Sequence, residues 1–300
     1  MSTHRTNIQV ASLTVMLLFA GAATVTADSG ADHQAVQPRP IQLGTSGGNI
    51  NDRSSLYCCS GTLGALVQDA SGDQYILSNN HVLARSNQAS VGEEVNQPGQ
   101  IDQQCGQSGV VAHLADFVPL QFRKGRGGAG PTNLADAAIA LVTDGAVRTD
   151  GAILDIGTVS SNTVAASVNQ TVQKSGRTTG HTTGTVSAVD VTVDVGYSAE
   201  CGGASNQVAR FVNQIRISPG TFSAGGDSGS LIVESGTVDP GDGRPRAVGL
   251  LFAGSSTSTL ANPIGDALSA LSVSMVGNGG GGEGEGEGEG EGEGEGEGEG

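Results

Sequence analysis

Three short segments carry side chains that together could perform acyl transfer. Ser78-Asn79-Asn80-His81-Val82-Leu83 holds a histidine, Leu134-Ala135-Asp136-Ala137-Ala138-Ile139-Ala140 an aspartate ahead of an apolar run, and Gly225-Gly226-Asp227-Ser228-Gly229-Ser230 a serine among glycines. Taken singly, each fits an ordinary loop histidine, a turn carboxylate or a glycine-rich turn. Taken together they supply a base, an orienting acid and a nucleophile. A serine hydroxyl is a poor nucleophile at neutral pH, so an imidazole must take its proton. The imidazole in turn needs a buried acceptor that fixes its tautomer and stabilises its cation. Glycines beside Ser228 let backbone amides converge on one point, as stabilising an oxyanion requires.

The elements that would hold these residues read as strands. Apolar residues fall in short runs, at Leu63 to Val67, Tyr75 to Leu77, Val110 to Leu114, Ala137 to Val142, Leu231 to Val233 and Val248 to Phe252. Such runs suit strands better than helices. Val189, Val191, Val193 and Val195 alternate with Asp190, Thr192 and Asp194, a period of two that marks a half-buried strand. Turn-forming stretches such as Ala70-Ser71-Gly72-Asp73 and Asp239-Pro240-Gly241-Asp242-Gly243 separate them. One helix is expected, since Ile264, Ala267, Leu268 and Leu271 form a stripe at helical spacing. Arg123 to Asn133, closed by Pro131, reads as a surface loop. With aromatics at 3%, no Trp and 49 Gly, the composition agrees with an all-β class.

The 300-residue chain has a formal charge of -16, but nine of its 30 acids belong to the Glu-Gly run from Glu283 to Gly300. Lys and Arg do not cluster, so no nucleic-acid partner is expected. Residues 1–27 begin with His4 and Arg5, pass through an apolar stretch from Val10 to Ala23 and end in Val25-Thr26-Ala27. That order predicts a cleaved signal peptide and a secreted protein, extracellular or periplasmic. The apolar stretch is too short for stable membrane insertion. Residues 28–150 and 151–276 are expected to be two β halves divided near Gly151, and 277–300 a disordered tail whose charged, flexible composition cannot bury a core. Four cysteines behind a signal imply disulfides. Cys58 and Cys59 are neighbours, so bridges from that pair to Cys105 and Cys201, in either order, are expected. The spacing lacks the paired motif of a zinc site, and no metal or cofactor is expected.

The order His, Asp, Ser and the motif GDSGS at Gly226 to Ser230 resemble the chymotrypsin-like (trypsin-like) serine peptidases. The segments GTLGALVQD (61 to 69), YILSNNHVLA (75 to 84), DAAIALV (136 to 142), KSGRTTGHTTGTV (174 to 186) and VGLLFAGSS (248 to 256) resemble the bacterial branch related to the trypsin-like domain of the plant narrow-leaf protein. The resemblance implies two antiparallel six-stranded β-barrels with the active site in the cleft between them, and a serine endopeptidase acting on polypeptides through an acyl-enzyme. It implies His81 as general base, Asp136 as orienting acid, Ser228 as nucleophile, and Gly226 and Ser228 as oxyanion-hole amides. His113 and His181 compete for the base, and Asp116 and Asp144 for the acid, but only Asp136 opens an apolar strand in the family's pattern. The resemblance also places Phe222, Ser223, Phe252, Ala253 and Gly254 at the substrate pocket, with Phe222 at its base, which implies small or medium uncharged residues before the scissile bond.

Departures from the family pattern are specific. Val82 stands where many animal members have cysteine, and no Arg-Ile-Val-Gly-Gly cleavage motif precedes Gly61. Lys174 or Arg177 is then the basic partner available to Asp227. An α/β-hydrolase is excluded because Ser230 occupies a required glycine position and no histidine follows the serine. The competing function is a secreted binding module on an inactive trypsin-like fold, which an active-site serine probe distinguishes.

Overall fold

The computed structural model describes residues 14–15, 33–106, 108–123 and 130–277. The expected signal segment, apart from the backbone of residues 14–15, lies outside the described residues. So do the Glu-Gly run and residues 124–129 of the expected surface loop.

Thr14–Val15 (β1) adds in parallel to a strand of the second barrel. The first barrel is built from Thr45–Asn49 (β2), Gly61–Leu63 (β3), Ala65–Gln68 (β4), Gln74–Ser78 (β5), Glu94–Gln97 (β6), Gly109–Phe117 (β7) and, after the two-residue Thr132–Asn133 (β8), Ala138–Val142 (β9). Its order is β4-β5-β9-β7-β6-β2-β3, with every pairing antiparallel. Only Gly64 separates β3 from β4, so the two are one bent strand and the sheet closes on six. A side chain on Gly64 would lie 1.9 Å from the carbonyl oxygen of Gly229, so glycine there lets the bend touch the serine loop.

The second barrel comprises Thr171–Gly176 (β10), Gly180–Ser198 (β11), Ser205–Ser218 (β12), Leu231–Glu234 (β13), Ala247–Gly254 (β14) and Thr259–Pro263 (β15). They pair antiparallel in the order β11-β10-β13-β14-β15-β12, and β12 returns to β11, again closing on six. The two-barrel, all-β expectation therefore holds.

Alternation builds the core between the barrels. Leu231 and Val233 of β13 join the cluster that fills the first barrel, while Ile232 between them points into the second. The longest helix among the described residues, Ile264–Leu271 (α2), lays Ile264, Ala267, Leu268 and Leu271 on that same first cluster. Each such large aliphatic side chain contributes about 1.5–3 kcal/mol when fully buried. Ser274–Met275 (β16) then pairs with β4, so the end of the described chain returns to the first barrel. Among the described residues no helix is long and apolar enough to cross a membrane.

Candidate active site

His81 leaves the barrel where β5 ends and a single turn of helix, Asn80–Leu83 (α1), begins. Its flanking amides anchor that turn. Asn79 Nδ2 donates to the Asp136 carbonyl at 2.7 Å, and Asn80 Nδ2 donates to Val118 O at 2.7 Å and to Asn87 Oδ1 at 2.8 Å. Asn80, Val82 and Leu83 are buried, leaving His81 to face the cleft.

Asp136 sits just ahead of β9 with no exposed surface. Its Oδ2 is 2.6 Å from His81 Nδ1, and its Oδ1 accepts the His81 backbone amide at 3.1 Å. Its own amide donates to Asn262 Oδ1 of the second barrel at 3.1 Å. The rival residues His113, His181, Asp116 and Asp144 are all exposed.

Ser228 lies in the turn before β13. Beneath it Asp227 is fully buried. Asp227 Oδ1 accepts the amides of Thr178 (2.8 Å) and Thr179 (3.1 Å), and Oδ2 accepts Thr179 Oγ1 (2.6 Å) and the Ala224 amide (2.9 Å). Lys174 Nζ stands 3.6 Å from Oδ2 with no exposed side-chain surface. Burial lowers the Lys174 pKa, and the Asp227 charge acts against that fall. The basic partner of Asp227 is therefore Lys174. Arg177 instead pairs with Asp102, its Nε donating to Oδ2 at 2.8 Å. A buried carboxylate needs such compensation, because an unpaired charge there is strongly destabilising.

This anchoring presents the Gly225-to-Ser230 turn to the first barrel. Thr62 of β3 donates its amide to Ser228 O (2.8 Å) and its hydroxyl to Gly226 O (3.0 Å). Gly226 has φ of 100°, and a side chain there would lie 2.4 Å from Thr178 Oγ1. The amides of Gly226 and Ser228 donate to no acceptor among the described residues, and the Ser228 hydroxyl likewise forms no hydrogen bond there. Two free amides beside a free hydroxyl are what an oxyanion site needs.

His81, Ser228 and Gly226 line one cavity of about 150 Å³, shared with Asp52, Arg85 and Arg177. Asp136 lies behind the imidazole. The five expected pocket residues do not line this cavity. Phe222 is in the second barrel's core with Val172, Val186 and Ile217, and its carbonyl accepts Thr182 Oγ1 at 2.7 Å. The Phe252 ring packs against Phe211 at 4.7 Å with a 48° tilt, and Ala253 is buried in the same cluster. In a chain so poor in aromatics, the two phenylalanines are buried in the second barrel's interior. Ser223 and Gly254 remain neighbours at the end of that barrel, with Ser223 Oγ 2.6 Å from Thr259 Oγ1.

Cys58 bridges Cys105, and Cys59 bridges Cys201, with Cα separations of 5.5 and 5.7 Å. The second bridge links a first-barrel loop to the tip of the β11–β12 hairpin, and both of its cysteines line the cavity. Sequence reasoning missed two cavity groups, Tyr197 and Asp52. Tyr197 donates its hydroxyl to Asp136 Oδ2 at 2.8 Å from 61 residues away, a contact no local pattern announces. Asp52 has the residue type of an ordinary turn.

No protein-family model matches the chain, and no curated protein matches it. Solved structures do. A glutamic acid specific serine protease, described as using a histidine triad in substrate binding, superposes with a TM-score of 0.50 at 23% identity, over 78% of this chain and 100% of that one. Thermobifida fusca protease A gives 0.49 at 18% identity, over 79% and 98%. Cellulomonas bogoriensis chymotrypsin gives 0.46 at 18% identity, with the same coverage. The first of these shows the fold, which is that of chymotrypsin-like serine proteases.

Proposed function

We propose that this chain is an exported serine endopeptidase that hydrolyses polypeptides through an acyl-enzyme, in the bacterial chymotrypsin-like branch that also relates to the narrow-leaf protein. The observation that carries the reading is the 2.6 Å contact between His81 Nδ1 and the fully buried Asp136, with Ser228 and its unused amides on the same cavity. His81 accepts the hydroxyl proton as Ser228 Oγ bonds to the substrate carbonyl carbon, and the resulting oxyanion lies against the amides of Gly226 and Ser228. The C–N bond then breaks, with His81 returning the proton to the leaving amine. Water repeats the sequence on the ester, releasing the acid and restoring Ser228. Catalytic contacts commonly tighten only when substrate binds, so the Ser228–His81 bond belongs to the complex.

Export accords with the 1–27 segment as a removed signal and with two disulfides, which persist in oxidising compartments. We propose 28–150 and 151–276 as the two halves, with the last stretch of the second, from Ile264 to Val276, returning to pack on the first. Ser223, Gly254 and their neighbour Thr259 carry no charge, so a substrate pocket there suits small uncharged side chains.

The test is a fluorophosphonate probe with peptide hydrolysis measured in parallel. Ser228 is expected to be labelled, and Ser228→Ala to lower turnover by about 10⁶, as in comparable triads. Absence of labelling together with absence of hydrolysis would return the fold to the binding-module reading.

A further inference from the structure

The β11–β12 hairpin is longer than its barrel needs, and its far end leaves the barrel to lie on the first one. Gln88 Nε2 donates to Ala199 O at 2.6 Å, Cys201 is bonded to Cys59, and Gly202 lies so close to Tyr57 that a side chain there would be 2.3 Å from the ring. Gln88, Cys59 and Tyr57 all belong to the first barrel's loops. The hairpin end is thus a strap fastened across the cleft, and Tyr197 is the last large side chain before its turn.

What the strap brings to the site is a phenol. Tyr197 is 5% exposed, with its ring edge-on to His81 at 5.9 Å and to Phe122 at 5.7 Å, and it packs on Phe211. Its hydroxyl donates to the same Oδ2 of Asp136 that accepts His81 Nδ1. Burial first, and then the adjacent Asp136 charge, push the phenol pKa well above its ordinary value, so it serves only as a donor. The buried carboxylate is therefore held by three donors, of which the phenol alone is neither part of His81 nor affected by movement of the imidazole.

We propose that Tyr197 is a positioning residue for the Asp136–His81 pair, delivered across the cleft by the cross-linked strap. The proposal rests on the peptidase reading. It deepens that reading by adding a group from the second barrel to a pair that lies in the first. By fixing Oδ2, the phenol holds the carboxylate in the plane that keeps Nδ1 protonated and Nε2 free to accept the Ser228 proton. By donating to Oδ2, it also moderates that oxygen's pull on the imidazolium. The other charged groups around His81 are Asp52 and Arg85 in the same cavity, with Glu200 and Arg177 on its walls. None of them bonds Asp136 among the described residues.

Tyr197→Phe keeps the ring and its packing and removes only the donor. The expected result is a fall in kcat of roughly ten-fold, the worth of one hydrogen bond to a charged group, with little change in KM. The acidic limb of the kcat/KM profile should move to higher pH, because Oδ2 with one donor fewer holds the imidazolium more strongly. A low-field Nδ1 proton resonance, read by NMR without substrate, should shift and exchange faster in the variant. A folded variant with an unchanged resonance, kcat and pH profile would overturn the role of Tyr197 while leaving the peptidase reading intact. If the unaltered protein neither labels at Ser228 nor hydrolyses peptides, that reading fails. An NMR resonance that nonetheless responds to Tyr197→Phe would then show the contact to be structural only, which overturns the proposal as well.

Discussion

Asp52 sets a carboxylate oxygen within 4.8 Å of the sulfurs of Cys59 and Cys201, on the wall of the cavity that holds His81 and Ser228. Burial raises its pKa to about 6, against the opposing pull of His81 and Arg85. The folded protein therefore binds this proton more tightly than the unfolded chain, whose aspartate titrates near 3.8. Stability falls as pH rises between those two values, and the cost is fully present above the higher one. Asp52→Asn removes the cost without removing a hydrogen bond, since the carboxylate forms none among the described residues. The variant should gain roughly 1–2 kcal/mol at pH 8, less than the full linkage value because cavity water screens the charge, and almost nothing at pH 4. Denaturant unfolding of both proteins at the two pH values measures this. An equal gain at both, or a loss at pH 8, would show that burial of the charge is not what acts.

At the scale of elements, the strap joins covalent and noncovalent support. The Cys59–Cys201 bridge spans 142 residues and crosses from one barrel to the other, while Cys58–Cys105 spans 47 within the first. Cross-linking stabilises chiefly by restricting the unfolded chain, and the effect grows with the logarithm of the closed length. Replacing Cys59 and Cys201 by serine should cost about 3–5 kcal/mol, roughly 1 kcal/mol more than replacing Cys58 and Cys105. Urea titration of the two double variants compares them, and the reverse order would mean that strain or residual unfolded structure outweighs loop length. The strands and helix that carry these bridges were legible locally. Val191, Val193 and Val195 are buried on one face of β11 as their alternation requires, and the helical stripe from Ile264 is α2 to the residue. Which way the rings of Phe222 and Phe252 turn was not legible, because position near a serine carries no periodic signal, and both rings are buried in second-barrel clusters. Which of two adjacent cysteines meets which partner, and that Tyr197 reaches Asp136, depend on closure of both barrels and have no periodic signature.

For the whole molecule, that closure implies that neither half is complete alone. The cluster filling the first barrel includes Leu231 and Val233 of β13, Ala247 and Leu250 of β14, and the apolar face of α2. Polar contacts cross the same boundary, among them Arg177 to Asp102, Thr62 to Ser228, and Asn262 to Asp136. A chain near 250 residues between its two terminal segments is large enough to unfold in stages. It should do so only if an interface can open without exposing a core, and here that interface is part of the first core. The protein lacking residues 1–27 should therefore show one calorimetric transition, with van't Hoff and calorimetric enthalpies equal. A fragment of residues 28–150 should lack cooperative unfolding, because removing the second half takes Leu231, Val233, Leu250, Ile264, Leu268 and Leu271 out of the first barrel's cluster. Two resolved transitions in the protein, or a cooperatively folded fragment, would show that the barrels are independent and that the cleft between them is a hinge rather than a seam.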